Sequence, residues 1–588
     1  MTQNDGFKTT IRTYRLVATS LVIAAATFAA HPKIARDLDD TKSGANVDVI
    51  IQYKSSASAK AVESIKGKGG IEKGRFTAAA GGLYTIPSAK LKELADDPSI
   101  DYISPDRALG RALDYAAPTV GAITAAKQYG VTGKGVGIAI LDSGVQETPD
   151  LAGRVVYTES FLPSAKSTQD EYGHGTHVAV TAVGDGTSSN ATYGGIAPKA
   201  KIINLRVLDE NGMGQDSYAI TAIQRAIELK SKYNIRILNL SLGRPIFESF
   251  LTDPLCQAVE SAWKAGIFVV VAAGNYGRVD PMGAMGYGTI TAPGNDPYVI
   301  TVGAMKTMST ASRNDDEIAS YSSKGPSAID HVVKPDIVAP GNRIISGRGR
   351  QNTTLSNQYP ENIVSRFYMK LSGTSVAAPM VAGAAALLIE KDPGLTPDQL
   401  KAKLMKTANK AFPAVTTVYD ATTGLTYVEH YDVFTVGAGY LDVAAALASK
   451  DKPDTRLRAV SPFAVYDNTA AQLYAVSNTN YMCADSAVWG SSAVWGATCG
   501  ASAVWGSSGV WGTSAVWGSS AVWGTSAVWG AIIGGVAGGP PPQSGSALIW
   551  AAPVITATSA AGLWGDDSAL AGTSTIGAES SRAVAKGE

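Results

Sequence analysis

Five short apolar runs set the fold of this chain: VGIAIL (136–141), KIINLRV (201–207), IRILNLSL (235–242), IFVVVAA (267–273) and YVITVGA (298–304). None of them alternates polar with apolar residues. A strand that is apolar throughout must be covered on both faces, which is the condition of a parallel sheet buried between layers of helix. Helical text lies between the runs, in SYAITAIQRAIELKSK (217–232) and LCQAVESAWKAG (255–266). Strand–helix–strand repetition over 111–450 predicts a doubly wound, mainly parallel α/β sheet. In such a sheet ligands bind beyond the carboxyl ends of the strands, so chemistry is sought there.

The remaining text divides into other regions. Lys8, Arg12 and Arg15 precede LVATSLVIAAATFAA (16–30), a charged start and a short apolar run ending in small residues, so 1–30 reads as a secretory signal peptide. Residues 46–110 order as strand (47–53), helix (59–67), strand (81–87), helix (89–100) and strand (100–104), a small α+β unit of ferredoxin-like type. Residues 451–485 are a polar connector with some strand character. In 486–530 Trp489, Trp495, Trp505, Trp511, Trp517, Trp523 and Trp529 recur mostly at six-residue steps. An even period places them on one face of an extended strand, which predicts a structural or surface-attachment segment with contact to cell envelope or glycan. Residues 531–588 are rich in Gly, Ala, Ser and Pro and read as a flexible tail, so the region after the connector is β-structured or disordered.

Composition excludes little, but usefully. Lys+Arg and Asp+Glu are both 50, which lacks the basic excess of a nucleic-acid binder. Three cysteines, Cys256, Cys483 and Cys499, leave at least one thiol unpaired in an exported protein. Cys483 and Cys499 lie close enough in sequence to bridge, and Cys256 falls in an apolar helical pattern.

Three chemically capable residues stand at element ends. Asp142 closes the first apolar run. His174 and His177 open a helical stretch, GHGTHVAV, in a chain with only five histidines. Their spacing and neighbours do not match a zinc-peptidase helix, which needs a glutamate and a four-residue step; His177 reads as a buried supporting residue. Ser375 enters the helix VAAPMVAGAAALLIEK, with Pro379 near its first turn, where free N–H groups favour an anion. A serine becomes nucleophilic when a base takes its proton, an imidazole is such a base, and a buried carboxylate fixes that imidazole's tautomer.

DSG (142–144), HGTHVA (174–179), SLG (241–243), AAGN (272–275) and GTSVAAP (373–379) occur in that order, and through them 120–450 resembles the subtilisin-like serine proteases. The resemblance implies secretion and peptide-bond hydrolysis of protein or peptide substrates, with Asp142 orienting His174, His174 as general base then acid, Ser375 as nucleophile and Asn275 as oxyanion donor. It implies that Ser241, Leu242 and Gly243 pair with the substrate backbone. It casts 46–110 as an inhibitory prodomain cut away between about 105 and 120. Structural calcium is frequent in the family, and Asp185 and Asn190 of the loop 184–195 lie where one such site occurs; the chemistry itself requires no cofactor. Two departures stand out: Val180 replaces a usual glycine, and Arg244 follows Gly243 where a second glycine is common. GTSVA is nearly the elbow of α/β-hydrolases, but Ala377 breaks it, and in that fold the acid and histidine follow the serine. The alternative function is an inactive surface or adhesion protein displaying the tryptophan repeats.

Overall fold

The computed structural model describes residues 31–476, with breaks at 36–37, 39–44, 55–58, 77–80, 106–114, 164–166, 279–285, 421–424 and 468–471 and at single positions, together with residues 575–577. The signal segment, residues 106–114 of the region expected to be cut (about 105–120), Cys483, Cys499, the tryptophan repeat and nearly all of 531–588 lie outside the described residues. The chain forms two units, Met1–Ala108 and Leu109–Glu588.

In the first unit β1 (Asn46–Tyr53), α1 (Ala59–Gly67), β2 (Ile71–Phe76), β3 (Gly81–Pro87), α2 (Leu91–Ala95) and β4 (Ile100–Pro105) follow in sequence. The strands form an antiparallel sheet in the order β2-β3-β1-β4. Val49, Ile51 and Tyr53 alternate inward along β1 and meet Ala61 and Ile65 of α1 and Leu91 and Leu94 of α2 in one core. β2 is absent from the sequence reading, because IEKGRF is half-exposed at the sheet edge and carries no apolar run. The second helix is also shorter than expected.

The second unit opens with α3 (Ala116–Thr119) and α4 (Ala122–Tyr129), then β5 (Gly137–Asp142), β6 (Val155–Ser160), α5 (His174–Val183), β7 (Lys201–Arg206), β8 (Met213–Gln215) and α6 (Asp216–Tyr233). There follow β9 (Ile235–Leu240), α7 (Pro254–Lys264), β10 (Phe268–Ala272), β11 (Ile300–Lys306), β12 (Glu317–Ile318), β13 (Ile337–Pro340) and β14 (Ile344–Gly347). α8 (Thr354–Gln358), β15 (Tyr368–Leu371), α9 (Thr374–Lys391) and α10 (Pro397–Thr407) complete the part that bears on the site.

The main sheet runs β12-β11-β10-β9-β5-β7-β6, with β13 also beside β11. All its pairs are parallel except β11 with β12. β5 and β10 are buried at every residue, as continuous apolar strands require. The five apolar runs thus form the centre of the sheet, β9-β5-β7 and β10-β11. α9 is long and apolar enough to cross a membrane by length and composition, and 89% of it is buried inside the unit. Part of the expected connector belongs to this unit too: the Ala459 N–H donates to Asp398 and the Val333 N–H to the Pro462 carbonyl.

Candidate active site

β5 delivers Asp142 to the carboxyl edge of the sheet, buried at 1% exposure. α5 starts at His174 and α9 starts one residue before Ser375. The three side chains meet. His174 Nδ1 lies 2.9 and 3.0 Å from the two Asp142 carboxylate oxygens, and Nε2 lies 3.0 Å from Ser375 Oγ. With Nδ1–H donating to the carboxylate, Nε2 keeps its lone pair toward the hydroxyl, the tautomer a general base needs.

The approach depends on a missing side chain. A Cβ on Gly175 would stand 2.1 Å from the Gly144 carbonyl oxygen and 3.1 Å from Asp142 Cβ, so glycine lets the helix end close on the strand end. The start of α5 is then fastened by a residue the sequence reading passed over. Asp170 accepts from the Gly173 N–H (2.7 Å), the Thr176 N–H (2.8 Å), the Thr176 hydroxyl (2.6 Å) and the Ser143 hydroxyl (2.8 Å). Burial pushes its carboxyl above the usual range, against the pull of those donors. The N-cap of α5 is Gly173, and Asp170 lies four residues ahead of the helix, outside the positions at which a cap is read from sequence.

His177 takes no part in this chain of contacts. Its Nε2 donates to the Ile344 carbonyl at 3.1 Å. Burial, then the charge of His174, pushes it down to about 3, so it stays neutral in the core. Among the described residues no group of three His, Cys, Asp or Glu is placed to hold a metal ion. Val180 fits because its neighbour is small: a side chain on Gly347 would lie 2.4 Å from the Val180 methyl.

Asn275 follows β10. Its Oδ1 accepts from the Thr374 N–H at 2.9 Å, which turns Nδ2 the other way, and that Nδ2 is buried with no hydrogen-bond partner among the described residues. The Ser375 N–H, second in α9, has no carbonyl four residues back within the helix.

Pro379 is the sixth residue of α9, one turn deeper than expected. A proline there cannot donate to the Ser375 carbonyl four residues earlier. Ser241 supplies the donor instead, its hydroxyl lying 2.6 Å from that oxygen. Ser241 therefore fastens the peptide group of Ser375. Leu242 is buried, and a Cβ on Gly243 would lie 2.6 Å from Thr291 Oγ1. Arg244 pairs its backbone with Ala292, and its guanidinium is buried between Asp216 (3.0 and 2.9 Å) and Asp253 (3.0 and 2.9 Å).

The 184–195 loop does not fit a cation. Asp185 is paired with Arg154 at 2.8 Å and accepts from the Thr187 N–H, and Asn190 sits at a left-handed turn. Asp150 beside the loop accepts from the Ser188 N–H and from the Tyr368 hydroxyl.

The Subtilase family profile matches residues 133–430. The serine protease AprX of Bacillus subtilis (strain 168) is 39% identical over 285 residues, 48% of this chain and 62% of that protein. Subtilisin E of the same organism is 33% identical over 378 residues, 62% of this chain and 86% of that protein. Among solved structures, Sphericase is 29% identical at a TM-score of 0.43, over 57% of this chain and 100% of its own.

Proposed function

The chain belongs to the subtilase family of serine endopeptidases, and on that premise we propose that it hydrolyses peptide bonds through Asp142, His174 and Ser375 as an exported, self-processed zymogen. The unbroken contact Asp142–His174–Ser375, at 2.9 and 3.0 Å, carries the reading.

Ser375 Oγ attacks the peptide carbonyl carbon while its proton passes to His174 Nε2. Asp142 stabilises the imidazolium that forms. The Ser375 N–H and Asn275 Nδ2 receive the charge on the former carbonyl oxygen. His174 returns the proton to the departing amine, leaving an acyl-enzyme, and then activates the water that hydrolyses it. Substrate enters as an extended strand beside Ser241–Gly243 and β8. The antiparallel pairing of β8 with Thr575–Gly577 supports this, since it is the kind of partner an extended peptide would replace. No step uses a cation.

The first unit acts as an intramolecular inhibitor. Its own core and its place directly before the protease support that role. The tryptophan repeats serve attachment to cell envelope or glycan.

The test compares the purified full chain with Ser375→Ala. The parent sheds residues up to about 105–120, cleaves casein and reacts with a fluorophosphonate; the variant stays long, inert and unlabelled. A parent without hydrolysis or labelling overturns the reading and leaves a display protein. Equal processing of both overturns self-maturation alone.

A further inference from the structure

The two proposed oxyanion donors, Asn275 Nδ2 and the Ser375 N–H, lie on different elements, 100 residues apart in sequence. Their separation must be held while charge develops, because a donor displaced by an ångström loses most of its effect. One link is direct: the Thr374 N–H donates to Asn275 Oδ1 at 2.9 Å, and the Gly274 N–H donates to Thr374 Oγ1 at 3.1 Å. A second link runs round the other side, through the segment 320–323, which no motif marked.

That segment lies along Gly274–Gly277. The Ser323 N–H donates to the Gly274 carbonyl at 2.9 Å, and the Ser323 hydroxyl accepts from the Tyr276 N–H at 3.1 Å, so one serine grips both neighbours of Asn275. Gly274 sits at φ +114°, and a Cβ there would come within 2.5 Å of Ser323 Oγ. Two residues earlier, the Tyr321 carbonyl accepts from the Gly277 N–H at 2.8 Å. The Tyr321 hydroxyl then donates to the Gly341 carbonyl at 3.0 Å, and the same carbonyl accepts from the Gly373 N–H at 2.8 Å. Gly373 precedes Thr374 and Ser375. The path from Asn275 through Thr374, Gly373, Gly341, Tyr321 and Gly277 back to Asn275 is a closed circuit of hydrogen bonds and chain. Tyr321 and Ser323 are both buried.

We propose that Tyr321 and Ser323 are positioning residues for the oxyanion: they touch no substrate, and they set the spacing of the Asn275 and Ser375 donors from the side opposite Thr374. The inference rests on the hydrolytic reading above. It makes a transition-state effect separable from a binding effect.

The experiment uses the full chain carrying Tyr321→Phe, Ser323→Ala or both, assayed on a peptide anilide. Tyr321→Phe deletes one oxygen and keeps the ring that fills the core. Each single variant is expected to lose about threefold to tenfold in kcat, the range of one hydrogen bond, with KM within twofold of the parent. Affinity for a peptidyl boronate, whose tetrahedral adduct on Ser375 uses the oxyanion donors, falls by the same factor as kcat. Affinity for a non-covalent competing peptide does not change. The double variant loses less than the product of the singles, since both loosen the same segment, Gly274–Gly277, that carries Asn275. A kcat and a boronate affinity equal to the parent's, or a lowered melting temperature with both intact, overturns the proposal and leaves the residues as packing. A parent that hydrolyses nothing, binds no boronate and is not labelled by a fluorophosphonate sinks the hydrolytic reading itself, and this inference with it.

Discussion

Helices α5 and α9 each present one member of the Asp142–His174–Ser375 contact at their first turn, and each is buried over nearly its whole length, yet they begin in opposite electrical surroundings. A helix start is a positive pole in both cases. At α5 that pole is covered by carboxylates: Asp170 takes the Gly173 and Thr176 N–H groups, and Asp142 stands on the imidazole. At α9 no carboxylate approaches among the contacts described; the neighbours are the Ser375 N–H and the unpartnered amide nitrogen of Asn275. The first surroundings favour a cation on His174, the second an anion beside Ser375. Those are the charges that appear together when the hydroxyl proton moves to the ring and the carbonyl oxygen becomes negative. One secondary-structure device serves both signs because the residues packed on it decide which charge it favours.

The contrast breaks most sharply at Asp142. Asp142→Asn keeps the shape but favours the wrong tautomer of His174, and kcat on a peptide anilide should fall about 10⁴-fold with KM little changed. A loss below tenfold would mean that the carboxylate side of the pair is dispensable. On the other side, Asn275→Ala removes one donor, and a loss of about 10²–10³-fold in kcat is expected, a magnitude taken over from subtilisin itself. If Asn275→Ala acted on KM alone, α9 would bind substrate without stabilising the anion.

The pH dependence of folding sharpens the comparison, because His174 and His177 share one helix and differ in environment. His177 stays neutral in the fold down to about 3, whereas a free imidazole takes its proton near 6.5. Between those values the unfolded chain binds a proton that the folded one refuses, so stability is lost as pH falls across that window and is fully present above it. The loss between pH 7 and 4 is of order 3 kcal/mol. In a Ser375→Ala background, which removes autolysis, His177→Gln should flatten the fall in urea midpoint over that window. Parallel curves would show that His177 is not the group being titrated.

The centre of the main sheet was legible because a strand covered on both faces is dominated by apolar residues, and β5, β7, β9, β10 and β11 carry such runs, interrupted at positions such as Asn204, Arg206 and Asn239. β6 was not, since VVYTES lies half-exposed at the sheet edge and needs no apolar run. The convergence of Asp142, His174 and Ser375, with Asn275 beside Thr374, was legible for a different reason: they stand in motifs whose local residues must be small or polar for the chains to approach, as Gly175 shows. Tyr321 and Ser323 act on backbone groups of distant segments. Such contacts leave no periodicity and no pairing of residue types, so only coordinates reveal them. Ser241 falls between the cases, singled out by sequence for a substrate strand while its hydroxyl holds the Ser375 carbonyl.

That last contact yields the smallest effect and the most particular test. Pro379 leaves the Ser375 carbonyl without its helical donor, and Ser241 replaces it. Ser241→Ala should therefore strand a buried acceptor, at a cost of about 1–3 kcal/mol in unfolding free energy, with a small drop in kcat as the nucleophile's peptide loosens. Pro379→Ala restores an N–H four residues after Ser375. On its own it offers a second donor to an oxygen already served, and its effect should be minor. Combined with Ser241→Ala it should recover about 1 kcal/mol of what the serine lost, so the pair is non-additive in the rescuing sense. Urea unfolding of the four chains in the Ser375→Ala background reads this directly. Simple additivity would mean that the Ser241 hydroxyl matters through Asn239, which donates to it at 2.9 Å, and that the Ser375 carbonyl finds water when the serine is gone. The proline would then be a feature of helix packing with no bearing on how the nucleophile is held.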